Sequence, residues 1–225
     1  MTAVLTGTGL GFQTGHAERR AVLQDVSITV QEGEMIALEG ASGIGKTVLG
    51  TLLLRLRRAN TAARVTWSGV DVTALSARAL RPLRVRHQAL LQHTGASLPP
   101  YMTVGQALLE TARHVARAPD PALAAQQTAA SLGIDGLLHR NPRHLSGGEQ
   151  RRAGLARLLL ADPVFAFIDE PDAGLDAEAR LVALRLLRSR CDLGMGCLLV
   201  THNQDLARRF ADRRLLLEGG TLRAL

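Results

Sequence analysis

Gly40-Ala41-Ser42-Gly43-Ile44-Gly45-Lys46-Thr47 decides the reading of this chain. The stretch fits G-x-x-x-x-G-K-[ST], and its flanks make the pattern credible. Upstream, Gln31 to Glu34 reads as a turn, and Met35-Ile36-Ala37-Leu38 as a short strand buried on both faces. Downstream, Lys46 to about Arg58 reads as a helix. Glycines let backbone N–H groups curl around a phosphate with no Cβ in the way. The helix start adds unpaired N–H donors and the positive end of a dipole. Gly40, Ser42, Gly43 and Gly45 are expected to form the cradle. Lys46 is expected on the β- and γ-phosphates, and Thr47 to offer its hydroxyl to Mg2+.

Lys46 is also the only lysine, against 26 arginines among the 27 basic residues. The codon bias of a GC-rich genome accounts for most of that imbalance. It does not account for the one exception. Arginine is a broad planar fork, whereas the loop needs a narrow point charge, so this position is the one least tolerant of arginine.

A net charge of +7 raises the question of nucleic acid. The arginines are scattered, with small groups at Arg55, Arg57 and Arg58 and at Arg81, Arg84 and Arg86. Aromatic residues make up 3% of the chain, which leaves few platforms for stacking bases, so no nucleic-acid partner is expected. The 225 residues, 46% hydrophobic, suit one domain with a full core. No apolar window is long enough to span a membrane. Met1 to Arg20 lacks the pattern of a secretory signal. Cys191 and Cys197 read as two reduced thiols.

Working outward from the loop, Val26, Ile28 and Val30 alternate with polar residues as in a half-buried strand. Val65-Thr66-Trp67 and Val70-Asp71-Val72 flank a Ser68-Gly69 turn, a hairpin. From Thr103 to about His139 the pattern is helical, with a capping box of Thr103 and Gln106 and a break at Pro119 and Pro121. The α/β pattern then resumes. Helices are expected over Gly148–Ala161, Asp176–Arg190 and Gln204–Ala211, and strands over Val164–Ile168, Cys197–Val200 and Leu215–Leu217. Strands alternating with helices predict an α/β fold: a mostly parallel sheet covered on both faces.

Two further strings carry chemistry. Asp169-Glu170 ends an apolar strand, where parallel sheets bind ligands. Asp169 can hold Mg2+, and Glu170 can polarise an attacking water. Leu145-Ser146-Gly147-Gly148-Glu149-Gln150 is the more specific string, with a chance frequency of about one chain in 10⁵ at average composition. It offers a second phosphate-binding helix start through Ser146, Gly147 and Gly148. One nucleotide does not need two such cradles from one chain, so each is expected to serve a nucleotide shared between two copies.

In order, these motifs resemble the ATP-binding subunit of an ATP-binding-cassette (ABC) transporter over nearly all 225 residues. The resemblance implies the P-loop ABC-ATPase fold as a single domain over 1–225. Its core and an N-terminal antiparallel β-subdomain would span about 1–95 and 141–225, and its inserted helical subdomain about 96–140. It implies ATP and Mg2+ as ligands and two cassettes closing head to tail. It makes Gln92 the switch-loop glutamine that contacts Mg2+, Asp176 the residue of the loop that crosses the dimer interface, and His202 the switch histidine at the γ-phosphate. Phe12 falls where the family stacks an aromatic ring on adenine.

There are departures from the family pattern. Glu39 stands where the family has an apolar strand residue, and Val48 where a second Ser or Thr often follows. His93 and Asn203 replace common aspartates after the switch glutamine and the switch histidine.

Gln92 to Val104 resembles the matching segment of peptide, nickel and metallophore importers. Leu98 to Met102 would then form the groove that receives a short helix from a membrane permease subunit. That branch implies work at the cytoplasmic face of a bacterial inner membrane, with an extracellular solute-binding protein as an indirect partner. The chain ends at Leu225, soon after the last switch motif, a form shared with export and lipoprotein-release cassettes. Export is the alternative, and a soluble non-transport ATPase a more distant one.

Overall fold

The computed structural model describes residues 2–15, 20–59, 62–92, 98–171 and 174–225. His93 therefore lies outside the described residues.

Two sheets organise the chain. Strands β1 (Ala3–Thr14), β2 (Arg20–Gln31), β4 (Arg64–Trp67) and β5 (Val70–Asp71) form an antiparallel sheet in the order β2-β1-β4-β5. Strand β3 (Met35–Glu39) lies inside a second sheet with β6 (His87–Leu90), β7 (Phe165–Asp169), β8 (Gly196–Val200), β9 (Arg213–Glu218) and β10 (Thr221–Ala224). Its order is β10-β9-β3-β8-β7-β6, parallel throughout except for β10 at the edge.

The apolar runs read as doubly buried strands are buried along their whole length. Their side chains alternate between two cores, as the period of two requires. Phe165 and Phe167 of β7 and Leu198 and Val200 of β8 join the core shared with the antiparallel sheet. Ala166 and Ile168, with Cys197 and Leu199, join the core on the opposite face. There they meet helices α5 (Gly147–Leu160) and α6 (Ala177–Asp192). Helix α1 (Lys46–Leu53) sits on the first face, tied to the antiparallel sheet by Trp67, whose indole N–H donates to Leu53 O at 2.8 Å.

The helical segment comprises α3 (Val104–His114) and α4 (Pro121–Ser131), followed by short 3-10 turns at Asp135–Leu137 and Pro142–His144. Both halves of the Thr103–Gln106 capping box are made. Helix α7 (Gln204–Phe210) precedes β9.

Four elements exceed the sequence reading. Strand β1 carries Gly7, Gly9 and Gly11 and has no clean alternation. Strand β6 is His-Gln-Ala-Leu, in which buried His87 stacks on Trp67 with ring centroids 4.7 Å apart. Helix α2 (Ala77–Arg84) contains Pro82 and three arginines, Arg78, Arg81 and Arg84, that hide its apolar stripe. Strand β10 is short and mostly exposed. In the other direction, α1 stops at Leu53 rather than near Arg58. Arg55 takes a left-handed φ of 53°, and the N–H groups of Leu56 and Arg57 both turn back to Thr51 O.

Candidate active site

The phosphate loop joins the end of β3 to the start of α1 and lies beside the ends of β7 and β8. Gly45 caps α1 with φ 117°, and a Cβ there would stand 2.7 Å from Val22 Cγ1. Glycine is therefore required for both the backbone angle and the approach of β2. No acidic residue occupies the first turn of α1, so none of the helix's own side chains offsets its positive end. Lys46 is buried, with Nζ donating to Gly40 O at 2.8 Å and Ala41 O at 2.9 Å. The ammonium thus closes the loop on itself. Burial lowers the Lys46 pKa against the opposing pull of Glu170 and Asp169.

Asp169 is buried at the end of β7 and accepts a 2.5 Å hydrogen bond from Thr47 Oγ1. Two hard oxygen donors, 122 residues apart in sequence, thus meet next to the lysine. That donor set fits Mg2+. Burial raises the Asp169 pKa, and the Thr47 bond and the Lys46 and Arg151 charges only partly oppose it. A dication beside this carboxylate would relieve the cost of burying it.

The three residues assigned to chemistry meet on one carboxylate. Gln92 Nε2 donates to Glu170 Oε2 at 2.9 Å, and His202 Nε2 lies 2.7 Å from Glu170 Oε1. Glu170 itself has a left-handed φ of 53°. A non-glycine residue there is strained, and such strain collects at functional sites. Asn203, the departure after His202, caps α7 by accepting from Leu206 N at 3.0 Å. An Asp would cap equally well, so the change keeps the local structure.

Sequence reasoning missed Arg151. It is buried, and its guanidinium reaches three carbonyls: Asp169 O at 3.2 Å, Gln92 O at 2.7 Å and Glu170 O. One fork therefore ties the backbone at Gln92 to the backbone at Asp169-Glu170. The signal was available, because Arg151 stands on the buried stripe of α5 with Leu155 and Leu158, where a charge needs a reason.

Ser146 caps α5 with a complete capping box, Glu149 Oε2 accepting from Ser146 N at 2.7 Å. A Cβ on Gly148 would stand 2.8 Å from Gly174 O, whereas nothing lies within 4 Å of one on Gly147. Gly148 thus serves packing against the loop before Asp176, and Gly147 leaves an open approach to the helix start. Asp176 caps α6, accepting from Ala179 N at 2.8 Å. These residues are not bonded to their own phosphate loop among the described residues. Phe12 pairs with Leu23 across the β1–β2 ladder, next to the Val22 that touches Gly45, and Arg57 stands 4.9 Å over its ring.

Glu39 also finds its explanation. It is buried and bonded to Arg214 Nε at 2.7 Å, so a charged residue in β3 is tolerated by pairing with β9.

Comparison with known proteins agrees with this geometry. The family model of the ABC transporter matches residues 23–173, more than half of the chain. The chain belongs to the ABC transporter family. It is an ATP-binding, ATP-hydrolysing cassette of that family. A putative peptide import ATP-binding protein of Brucella ovis is 33% identical over 98% of this chain and 71% of that protein. The nickel import ATP-binding protein NikE of Shigella boydii is 32% identical over 94% of this cassette and 80% of its own length. The solved dimeric structure of the ATP-binding cassette MJ0796, bound to ADP and Pi, superposes with a TM-score of 0.89 at 22% identity. That match covers 98% of this cassette and 97% of the solved chain, and establishes the fold.

Proposed function

We propose that this cassette drives solute import, of peptide, nickel or metal-chelate type, through permease subunits bound near Leu98–Met102. The observation that carries the catalytic part is the Gln92–Glu170–His202 cluster beside the Lys46 loop. ATP lies with its phosphates on Gly40 to Thr47 and its adenine on Phe12. Thr47, Asp169 and Gln92 would hold Mg2+, which would supply charge neutralisation on the phosphates. Glu170 takes a proton from water as the water oxygen attacks the γ-phosphorus. The bond from that phosphorus to the ADP oxygen breaks, and Lys46 stabilises the charge that develops. His202 orients the Glu170 carboxylate and faces the γ-phosphate.

Ser146, Gly147 and Gly148 of a second cassette, identical or homologous, close over the nucleotide, with Asp176 at the interface. Binding would shut the dimer and pull the permeases into another conformation, and hydrolysis would reopen it. We place the complex at the cytoplasmic face of the inner membrane, served indirectly by an extracellular solute-binding protein. We take the segment of α3 and α4 as the inserted helical subdomain.

The docking segment has a supporting shape. Leu98 is buried at 1% exposure, while Tyr101 is 79% exposed. Asn141 Nδ2 holds the segment by donating to Pro100 O at 2.9 Å. An exposed aromatic ring on a pinned loop suits a helix-in-groove contact. Tyr101→Asp is expected to abolish uptake by the assembled transporter while basal ATP hydrolysis by the cassette stays unchanged. Normal uptake in that variant would contradict the docking assignment.

A further inference from the structure

A second cleft, of about 380 Å³, opens where α1 ends against the antiparallel sheet. Its apolar wall is Leu10, Leu52, Ala59, Ala63 and Val65, and Arg55 and Arg58 stand over it. It shares no residue with the phosphate loop, and α1, about 12 Å long, separates the two.

The unusual feature is the charge. Arg84 joins the two lining arginines, its Nη2 donating to Arg55 O at 2.9 Å. Among the described residues Arg55 commits only Nε, to Val72 O at 3.1 Å, which leaves both Nη groups for another acceptor. Arg84 Nε is buried with no acceptor. Among the described residues, none of the three arginines has a carboxylate within ion-pair distance. Asp71 is near the rim in sequence, but it faces Arg64 at 3.5 Å and accepts from Thr73 N at 2.9 Å. Burial and the two neighbouring charges of Arg58 and Arg84 all lower the Arg55 pKa.

Three cations placed together without a counter-charge repel one another, and like-charge clusters of this kind are stabilised by an anion. Guanidinium forks match the oxygens of phosphate and carboxylate. The aliphatic wall and the volume suit a ligand with a small apolar part rather than a bare ion. We propose that this cleft is a second anion site that takes a phosphate- or carboxylate-headed molecule with a short aliphatic stem.

The test uses butyl phosphate and hexanoate as probes, followed by protein-observed NMR. The intact cassette is first saturated with a non-hydrolysable ATP analogue, so that the phosphate loop is filled. Saturable shifts are expected at residues lining the cleft. Arg58 is exposed, so Arg58→Glu spares the fold and is expected to weaken binding at least about tenfold. Arg78→Glu makes the same charge change on exposed α2, outside the cleft, and is expected to leave binding unchanged. Arg55 and Arg84 stay intact, because both also bond backbone carbonyls. A parallel arm measures binding to phosphatidylglycerol vesicles. Free-probe binding without vesicle binding assigns a soluble anion, and vesicle binding lost in Arg58→Glu assigns a lipid head group. No saturable binding in either arm, or equal weakening by Arg58→Glu and Arg78→Glu, would overturn the site.

Discussion

Asp169 shows what a carboxylate costs at the proposed metal position. Its carboxyl is buried, and its pKa in the folded chain lies above the ordinary carboxylate value. Between the unfolded and folded values the folded chain holds the extra proton. Stability therefore falls as pH rises through that window. Asp169→Asn removes the charge but keeps an acceptor for Thr47. At pH 7 it is expected to raise the melting temperature of the nucleotide-free cassette on the order of a few degrees. The gain should shrink as pH falls below the carboxylate range, and ATP hydrolysis should be lost. Calorimetry at the two pH values checks the sign, and a lower melting temperature at pH 7 would contradict it. Lys46 carries a burial cost of the same kind, which fits a site held ready for phosphate.

Helix α5 joins two functions at the scale of the element. Its exposed start presents Ser146 and Gly147, and one turn later Arg151 points inward to the carbonyls of Gln92, Asp169 and Glu170. Arg151→Met leaves those carbonyls without their donor, at about 1–3 kcal/mol for each buried group left unsatisfied. Both melting temperature and hydrolysis are expected to fall, and Arg151→Lys should not restore them, since one ammonium cannot span three carbonyls. A melting scan and an ATPase assay on both variants decide this.

Elements of this kind also mark how far the sequence could be read. The phosphate loop, the Asp169-Glu170 strand end and the signature string were legible because each is contiguous and sits in a periodic context. Arg151 was not, because its partners lie in two separate segments, 59 and 18–19 residues away. Strand β6 was hidden by His87 and Gln88, and β1 by its glycines, since tertiary packing outweighs their weak strand preference. Glu39 looked anomalous until Arg214, 175 residues away, supplied its partner.

At the scale of the molecule, the signature residues make no bond to their own loop among the described residues, and the proposed nucleotide site is completed by a second cassette. Lys46→Met disables one half of such a site and Ser146→Arg the other. Each variant alone is expected to be inactive, and an equal mixture to regain part of the hydrolysis, because one composite site then has both halves intact. A mixture as inert as its components would refute pairing between copies of this chain. All of this rests on Glu170, where Gln92, His202 and Arg151 converge. The most direct measurement is steady-state ATP hydrolysis by Glu170→Gln, alongside its affinity for nucleotide. The account predicts a loss of at least about a hundredfold in rate with nucleotide binding retained; hydrolysis at the unaltered protein's rate would contradict it.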